Sequence, residues 1–394
     1  MHILILPSSY PRPYEKLSGI FYRDQARALK KNGVFTGVID PDPRTLRTLL
    51  RKDAFLNRFQ ISYIDDSGIP TLRANDWCLP FARKLYAKHF ISQAKRLFKL
   101  YVKRFGKPEI IHAHGILWGG VAARIIAREY NIPFVVTEHS SEYALNLIQE
   151  WQKPFIREVI KDASSIIAVS FSLISVLHSF GESKRFKVVP NVVDTDFFTK
   201  PGKKENQALF RFISIAPLDL KKGIDILLKA FASVFSDRQD IVIEIGGKGK
   251  DRDYLGQLVK DLGVASQVKI LGVLSRAQVR DAFHRCDAFV LPSCYETFGL
   301  CYVEAMACGL PVIATRCGGP QDFVNHNNGY LVEVGNVEQT AKAMEDLYNN
   351  RDSWHGRSEA IRKYVIDSFS EAAIAGNLAN IYQGLITGGT YHNE

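Results

Sequence analysis

Short apolar runs alternate along this chain with longer segments in which apolar residues return every three or four positions. His2 to Leu6 reads as a buried strand, Gly19 to Lys31 as a helix ended near Gly33, and Val34 to Ile39 as a second strand. Ile110 to His114 and Phe134 to Thr137 are two further parallel strands with a helix from about Gly119 to Tyr130 between them, and Ser164 to Val169 closes the series. The second half repeats the pattern. Phe212 to Ile215 is its first strand, followed by a turn at Lys221-Lys222-Gly223 and a helix from Ile224 to Val234. Strands follow at Ile241 to Ile245, at Val268 to Leu271, and at Ala288 to Leu291, the last ending at Pro292 and Ser293. The fold class is α/β, two doubly wound units in which ligands meet the residues just after the strands.

A chain of 394 residues exceeds the usual size of one core, and 46% apolar with 23% charged residues is ordinary globular composition. No run of eighteen apolar residues occurs, and Met1-His-Ile-Leu-Ile-Leu-Pro lacks the features of a signal peptide, so a cytoplasmic location is expected. The six cysteines form no C-x2-C pair, which argues for reduced buried thiols and against zinc. The net charge of +10 is concentrated between positions 44 and 107, where 15 Lys and Arg face four Asp. Phe81 to Phe105 reads there as a basic amphipathic helix, suited to an anionic membrane surface at about 1 kcal/mol per well-placed cation. Nothing in the segment has the motifs of nucleic-acid recognition.

The chemistry concentrates where the strand at Ala288 ends. Thr297 is placed to cap a helix whose first amides come from Phe298, Gly299 and Leu300, an anion-binding arrangement that needs no metal. Glu296 and Glu304 are then at most about 12 Å apart. Glu304 shares a helical stripe with Cys301 and Cys308, so it faces inward and requires either vicinal hydroxyls or an internal Arg or Lys. Gly246-Gly247-Lys248-Gly249 lets backbone approach a ligand but is neither a phosphate-binding P-loop nor a dinucleotide fingerprint. Asp-x-Asp triplets at Asp40, Asp194 and Asp251 sit among turn residues, and no catalytic metal is expected from them. In the first half, Ser18-Gly19-Ile20-Phe21 and Glu138-His139-Ser140-Ser141 follow strands, and His114 ends one.

E-T-F-G-L-C-Y-V-E from Glu296 to Glu304, A-M-A-C-G-L-P-V-I-A-T from Ala305, G-G-P-Q-D from Gly318, P-N-V-V-D from Pro190 and K-K-G-I-D from Lys221 together resemble glycosyltransferase family 4 over nearly the whole chain. The resemblance implies the GT-B fold, two Rossmann-like domains facing a central cleft. Residues 1–183 form the acceptor-side domain, completed by a terminal helix at 370–394, and residues 184–369 bind the nucleotide sugar. It implies a retaining hexosyltransferase, metal-independent and without cofactor. The donor is a nucleotide-diphosphate sugar, UDP favoured over GDP, and the acceptor a glycan or polyprenyl-diphosphate-linked glycan in bacterial surface polysaccharide synthesis. The enzyme would then work peripherally at the inner face of the cell membrane. Glu296 orients the sugar, Glu304 the ribose, and His139 contacts the transferred sugar. Gly19, Lys222, Gly247, Thr297, Phe298, Gly299 and Leu300 attend the donor, with Leu271 and Val273 beside the base. Where the family has an Arg before its Lys-Gly, this chain has Ala216-Pro217-Leu218, with Lys248 and Arg316 as replacements. A nucleotide-sugar 2-epimerase or a catalytically degenerate binding module are the competing readings.

Overall fold

Parallel pairing dominates both sheets of the computed structural model, which describes residues 1–12, 19–41, 43–44, 59–78, 83–182, 185–202 and 209–388. The chain divides into two units, Met1–Val192 with Glu371–Glu394, and Val193–Ser370.

Unit 1 holds strands β1 (His2–Pro7), β2 (Phe35–Asp40), β3 (Ile61–Asp65), β4 (Pro70–Ala74), β5 (Ile110–His114), β6 (Phe134–Glu138), β7 (Ser165–Ala168) and β8 (Phe186–Val188). Their order is β3-β4-β2-β1-β5-β6-β7-β8, parallel except for the β3–β4 edge pair. Ile3 to Leu6 are buried on both faces, as a continuous apolar strand requires in the middle of a parallel sheet. Helices α1 (Ile20–Lys31), α2 (Arg83–Phe105), α3 (Val121–Tyr130), α4 (Lys153–Asp162) and α5 (Phe171–His178) cover the sheet.

Unit 2 holds β9 (Phe210–Ile215), β10 (Ile241–Gly246), β11 (Val268–Gly272), β12 (Ala288–Leu291), β13 (Val312–Thr315) and β14 (Gly329–Val332), in the order β11-β10-β9-β12-β13-β14 and all parallel. Its helices are α6 (Ile224–Phe235), α7 (Arg252–Asp261), α8 (Arg276–Arg285), α9 (Leu300–Ala307), α10 (Val337–Asn349) and α11 (Arg351–Phe369). Phe212, Phe231, Phe283, Phe289 and Tyr302 are fully buried around this sheet. The last helix, α12 (Glu371–Ile386), belongs to unit 1. Its Ile374, Leu378, Ile381 and Tyr382, spaced four, three and one, join one cluster with Ile3, Ile5, Ile110 and Val135.

The structure corrects the expected element list in four places. The strand at Ser165–Ala168 does not close the first sheet, because β8 pairs beyond it. β3 and β4 were not expected. β4 carries Pro70 and Arg73 in a buried strand, made tolerable by the ion pair from Arg73 Nε to the fully buried Asp40 Oδ2 (2.6 Å) and by a bond from Arg73 Nη2 to Pro11 O (2.8 Å). That places Asp40 at the end of β2 and not in a loop. Finally, a π-turn at Ile116–Gly120 precedes α3, so the regular helix starts at Val121.

The basic segment is only partly described, since residues 45–58 and 79–82 lie outside the described ones. In α2, Phe90, Leu97, Phe98 and Tyr101 pack inward, Leu85 and Leu100 are exposed, and Lys84, Lys88, Arg96, Lys99 and Lys103 face solvent. No helix among the described residues is long and apolar enough to cross a membrane.

His112 on β5 ties α12 to the sheet: its Nδ1 meets the Tyr382 hydroxyl at 2.6 Å and its Nε2 meets Thr137 Oγ1 at 2.7 Å. Burial, with the neighbouring His139 adding to it, pushes its pKa down to about 3. An unfolded histidine binds its proton near pH 6.5, so stability is present in full above that value and is lost as pH falls toward 3. Between about pH 7.5 and 5.5, His112 alone should remove about 1.4 kcal/mol. Urea unfolding followed by tryptophan fluorescence checks this, since three of the four Trp (77, 118 and 151) lie in unit 1. His112→Gln should lose less stability than the unmodified chain over that interval by about that amount; equal losses would contradict it.

Candidate functional site

In unit 2 the strand order reverses between β9 and β12, and a doubly wound sheet opens its ligand crevice there, outside the carboxyl ends. Lys222 and Glu296 come from the segments after those two strands, and Lys222 Nζ donates to Glu296 Oε1 at 2.7 Å. The pair is only 18% and 14% exposed. Ser293 Oγ donates to the same carboxylate oxygen at 2.8 Å. Each partner is held by its backbone. Lys222 ends a 3-10 turn at Leu220–Lys222, with Asp219 accepting from the Lys221 amide. Gly223 then turns the chain with φ 67°, so close to Pro292 that an added Cβ would lie 1.9 Å from its carbonyl oxygen. Glu296 donates its amide to Cys317 O and accepts from Gly319 N, a bridge that fixes its loop on both sides. Ser293 was not among the expected site residues; its only signal was its place one residue after the proline that ends the strand.

The helix start differs from the expected one. Thr297 does not cap it. Gly299, in the left-handed region at φ 94°, occupies the cap position without a side-chain bond, and the first helical residue of α9 is Leu300. Phe298 is buried, with its ring against Phe323 and Phe369, and Gly319 leaves no room for a Cβ against its backbone. The free helix amides therefore begin at Gly299 and Leu300. Glu304 is half-buried on α9. Cys301, Glu304 and Cys308, three and four positions apart, lie along one side of this helix, and burial, with the Glu304 carboxylate adding to it, raises the thiol of Cys301 and brings that of Cys308 to about 12.

Gly247 donates its amide to Gly272 O at 2.7 Å and lies against Ala216 O. Leu271 is half-buried and Val273 is 58% exposed just past β11. Pro217 is exposed, whereas Leu218 is buried and bonded through its amide to Lys248 O. Arg316 pairs with Glu333 at 3.2 Å, and Lys248 is exposed. Asp194 faces Arg276 at 3.7 Å, and Asp251 accepts from the Leu220 amide. Asp42 lies outside the described residues.

In unit 1, Gly19 starts α1 in the left-handed region, where a Cβ would meet Ser9 O at 2.6 Å; Ser18 lies outside the described residues. His139 is buried. Its Nε2 meets His114 Nδ1 at 3.1 Å and its Nδ1 meets Asn191 Oδ1 at 3.0 Å, with Phe21 and Tyr22 packed on the ring. Burial pushes its pKa down to about 3, so the imidazole is neutral near pH 7. The preceding Glu138 is buried, and its carboxylate accepts from the amides of Ile116, His139 and Ser140 at 2.7, 2.7 and 2.8 Å. Burial raises its pKa against the pull of those amides. Asn191 lies in the P-N-V-V-D motif and Glu138 heads Glu138-His139-Ser140-Ser141, but the sequence assigned neither a role of its own.

Known proteins extend this picture. The model of the Glycosyltransferase Family 4 matches residues 19–197, and that of Glycosyl transferases group 1 matches residues 194–364. TuaC of Bacillus subtilis, a glycosyltransferase assigned to teichuronic acid biosynthesis, is 26% identical over 377 residues that cover 90% of each chain. Sucrose-phosphate synthase from Thermosynechococcus elongatus superposes with a TM-score of 0.78 at 19% identity, over 98% of this chain and 100% of that one. Anabaena Alr3699/HepE, solved with UDP, gives 0.75 at 19% identity over 98% and 100%. With two family models that run contiguously from residue 19 to 364 and a doubly wound pair of units matching these neighbours, the chain belongs to glycosyltransferase family 4 and has its GT-B fold.

Proposed function

We propose that this glycosyltransferase moves a hexose or N-acetylhexosamine from a UDP-sugar to a hydroxyl of a glycan or lipid-linked glycan, with retention of anomeric configuration and without a metal. The observation that carries the reading is the Lys222–Glu296 pair at the switch point of unit 2. A nucleotide diphosphate is a competent leaving group, so catalysis rests on stabilising the charge that grows on its phosphates as the glycosidic bond breaks. The Lys222 ammonium has three N–H donors; one holds Glu296 and the others are left for phosphate oxygens. The amides of Gly299 and Leu300, at the positive end of α9, supply the second source of positive potential.

Glu296, fixed through its main chain, takes the sugar hydroxyls, and Glu304, one helix face further on, takes the ribose. His139 serves the transferred sugar as a neutral hydrogen-bonding group, since it carries no charge near pH 7. The acceptor oxygen forms its bond on the face from which the diphosphate leaves, and its proton passes to the departing phosphate oxygen. Alr3699/HepE was also solved with UDP-glucose, which supports a uridine donor by likeness of fold. The exposed cations of α2 support work at an anionic membrane surface.

Lys222→Ala should weaken UDP binding by about tenfold or more in calorimetry, the scale of a lost charge-assisted contact; unchanged affinity would remove Lys222 from the diphosphate site. Glu296→Gln should instead keep UDP affinity within a few-fold, because UDP lacks the transferred sugar, and lower turnover by about a hundredfold. In a thermal-shift series UDP should raise the melting temperature more than GDP or ADP, with the same shift in EDTA. Proton NMR of the product from an α-configured donor should show an α linkage, and a β linkage would overturn retention.

A further inference from the structure

Unit 1 contains a cavity of about 770 Å³ whose lining residues all come from that unit. Ser8 and Gly115 line it just after β1 and β5, the two strands between which the order of the first sheet reverses. The residue that stands out is Trp118. Its backbone sits at φ 62° and ψ −57°, a conformation costly for a bulky side chain. Surrounding bonds hold it there. Ser8 Oγ donates to His114 O at 2.7 Å and to Leu117 O at 3.2 Å, and Gly119 has no space for a Cβ against His114 O. The outcome is a half-exposed indole on the cavity wall, stacked on Trp151 with ring centroids 5.8 Å apart and planes at 25°.

Polar groups on the rest of the wall have a consistent character. Glu138, Glu142, Ser140, Gln149 and Gln152 line it, and no Lys or Arg is found among the described residues that do. Glu138 is immobilised by three amides, two on Oε1 and one on Oε2, so Oε2 keeps a lone pair for a hydroxyl donor. Glu142 is exposed to solvent and carries a second negative charge. An apolar ring that shares a cavity with carboxyl and amide groups fits a sugar, which has one apolar face and a rim of hydroxyls. Among the described residues that line the wall no cation offsets these carboxyl groups, and Lys84 is engaged over the Trp151 ring, 5.8 Å from its centroid, so the wall disfavours a carboxylate or a phosphate.

The geometry points to this cavity as the seat of an uncharged, hydroxyl-rich sugar at the accepting end of the acceptor, with Trp118 and Glu142 selecting it against anionic sugars. This inference rests on the transferase reading and adds the acceptor's chemical class to it. The full chain is titrated with methyl glycosides of neutral hexoses, N-acetylhexosamines and deoxyhexoses, and with methyl hexuronides and hexose 6-phosphates, following tryptophan fluorescence. Neutral glycosides should change the fluorescence and bind about tenfold or more tighter than charged ones. Trp118→Ala should lose about tenfold in affinity and Trp118→Phe should recover part of it. Glu142→Lys, an exposed substitution with little bearing on folding, should bring charged glycosides to within a few-fold of neutral ones. Charged sugars binding as tightly as neutral ones, binding by no neutral sugar, or a Glu142→Lys variant with unchanged discrimination would overturn the inference. UDP affinity of the same samples reports separately on the donor-side reading, so a failure there is distinguishable from a failure here.

Discussion

A carboxylate and an ammonium brought to one place by two strand ends organise unit 2. Lys222 and Glu296 are 74 residues apart, yet parallel pairing of β9 and β12 leaves their following loops side by side. At 2.7 Å and an effective dielectric of about 20 the attraction is about 6 kcal/mol, much of it offset by desolvation of two mostly buried groups. The pair is therefore modest as a source of stability. Its importance is that neither member can lose the other without leaving a charge stranded, so both loops are held in one geometry before any ligand arrives. On the proposed function, a diphosphate beside Lys222 meets a cation already positioned, and little reorganisation remains for the reacting complex.

The glycines around the pair serve the same end through the main chain. Gly223 lies against the carbonyl of Pro292, Gly319 against Phe298, and Gly247 against Ala216, each at a distance no side chain survives. The first of these contacts locks the turn that carries Lys222 onto the end of β12, and the second locks the Glu296 loop onto the start of α9. A motif of glycines and acids at fixed spacing is in this sense a description of backbone contacts. That explains why it could be read from the linear chain while its partners, such as Ser293, could not.

What the sequence reveals about the fold follows one rule. Continuous apolar runs such as Ile3 to Leu6 or Ala288 to Leu291 are legible because a strand buried on both faces needs no polar residue. β4 is illegible because its Arg73 is neutralised by Asp40, a residue 33 positions away, and half-exposed β3 has no apolar face of its own to announce it. The start of α9 fails for a related reason. A threonine before a helix is the ordinary cap, but the backbone enters this helix through a left-handed glycine, a choice set by Phe298 packing against Phe323 and Phe369. The acid pair of the site was legible, while the indole of Trp118 was not. Only the fold shows that its backbone is strained and that it lines a cavity.

The missing arginine can be placed in the same terms. The Ala216-Pro217-Leu218 segment is not a damaged version of a phosphate clamp but a loop closed by its own packing: Leu218 is buried, its amide is used by Lys248 O, and its carbonyl accepts from Asp251 N. An arginine at Pro217 would extend from an exposed position and would not be needed to hold that loop. Positive potential at this strand end is left to Lys222 and to the amides of Gly299 and Leu300, which the backbone orients without side-chain entropy. Of these, only Lys222 brings a full charge, and Glu296 claims part of it until a phosphate arrives. On the proposed reading, donor affinity is accordingly concentrated in one side chain, where the resemblance to the family implies two.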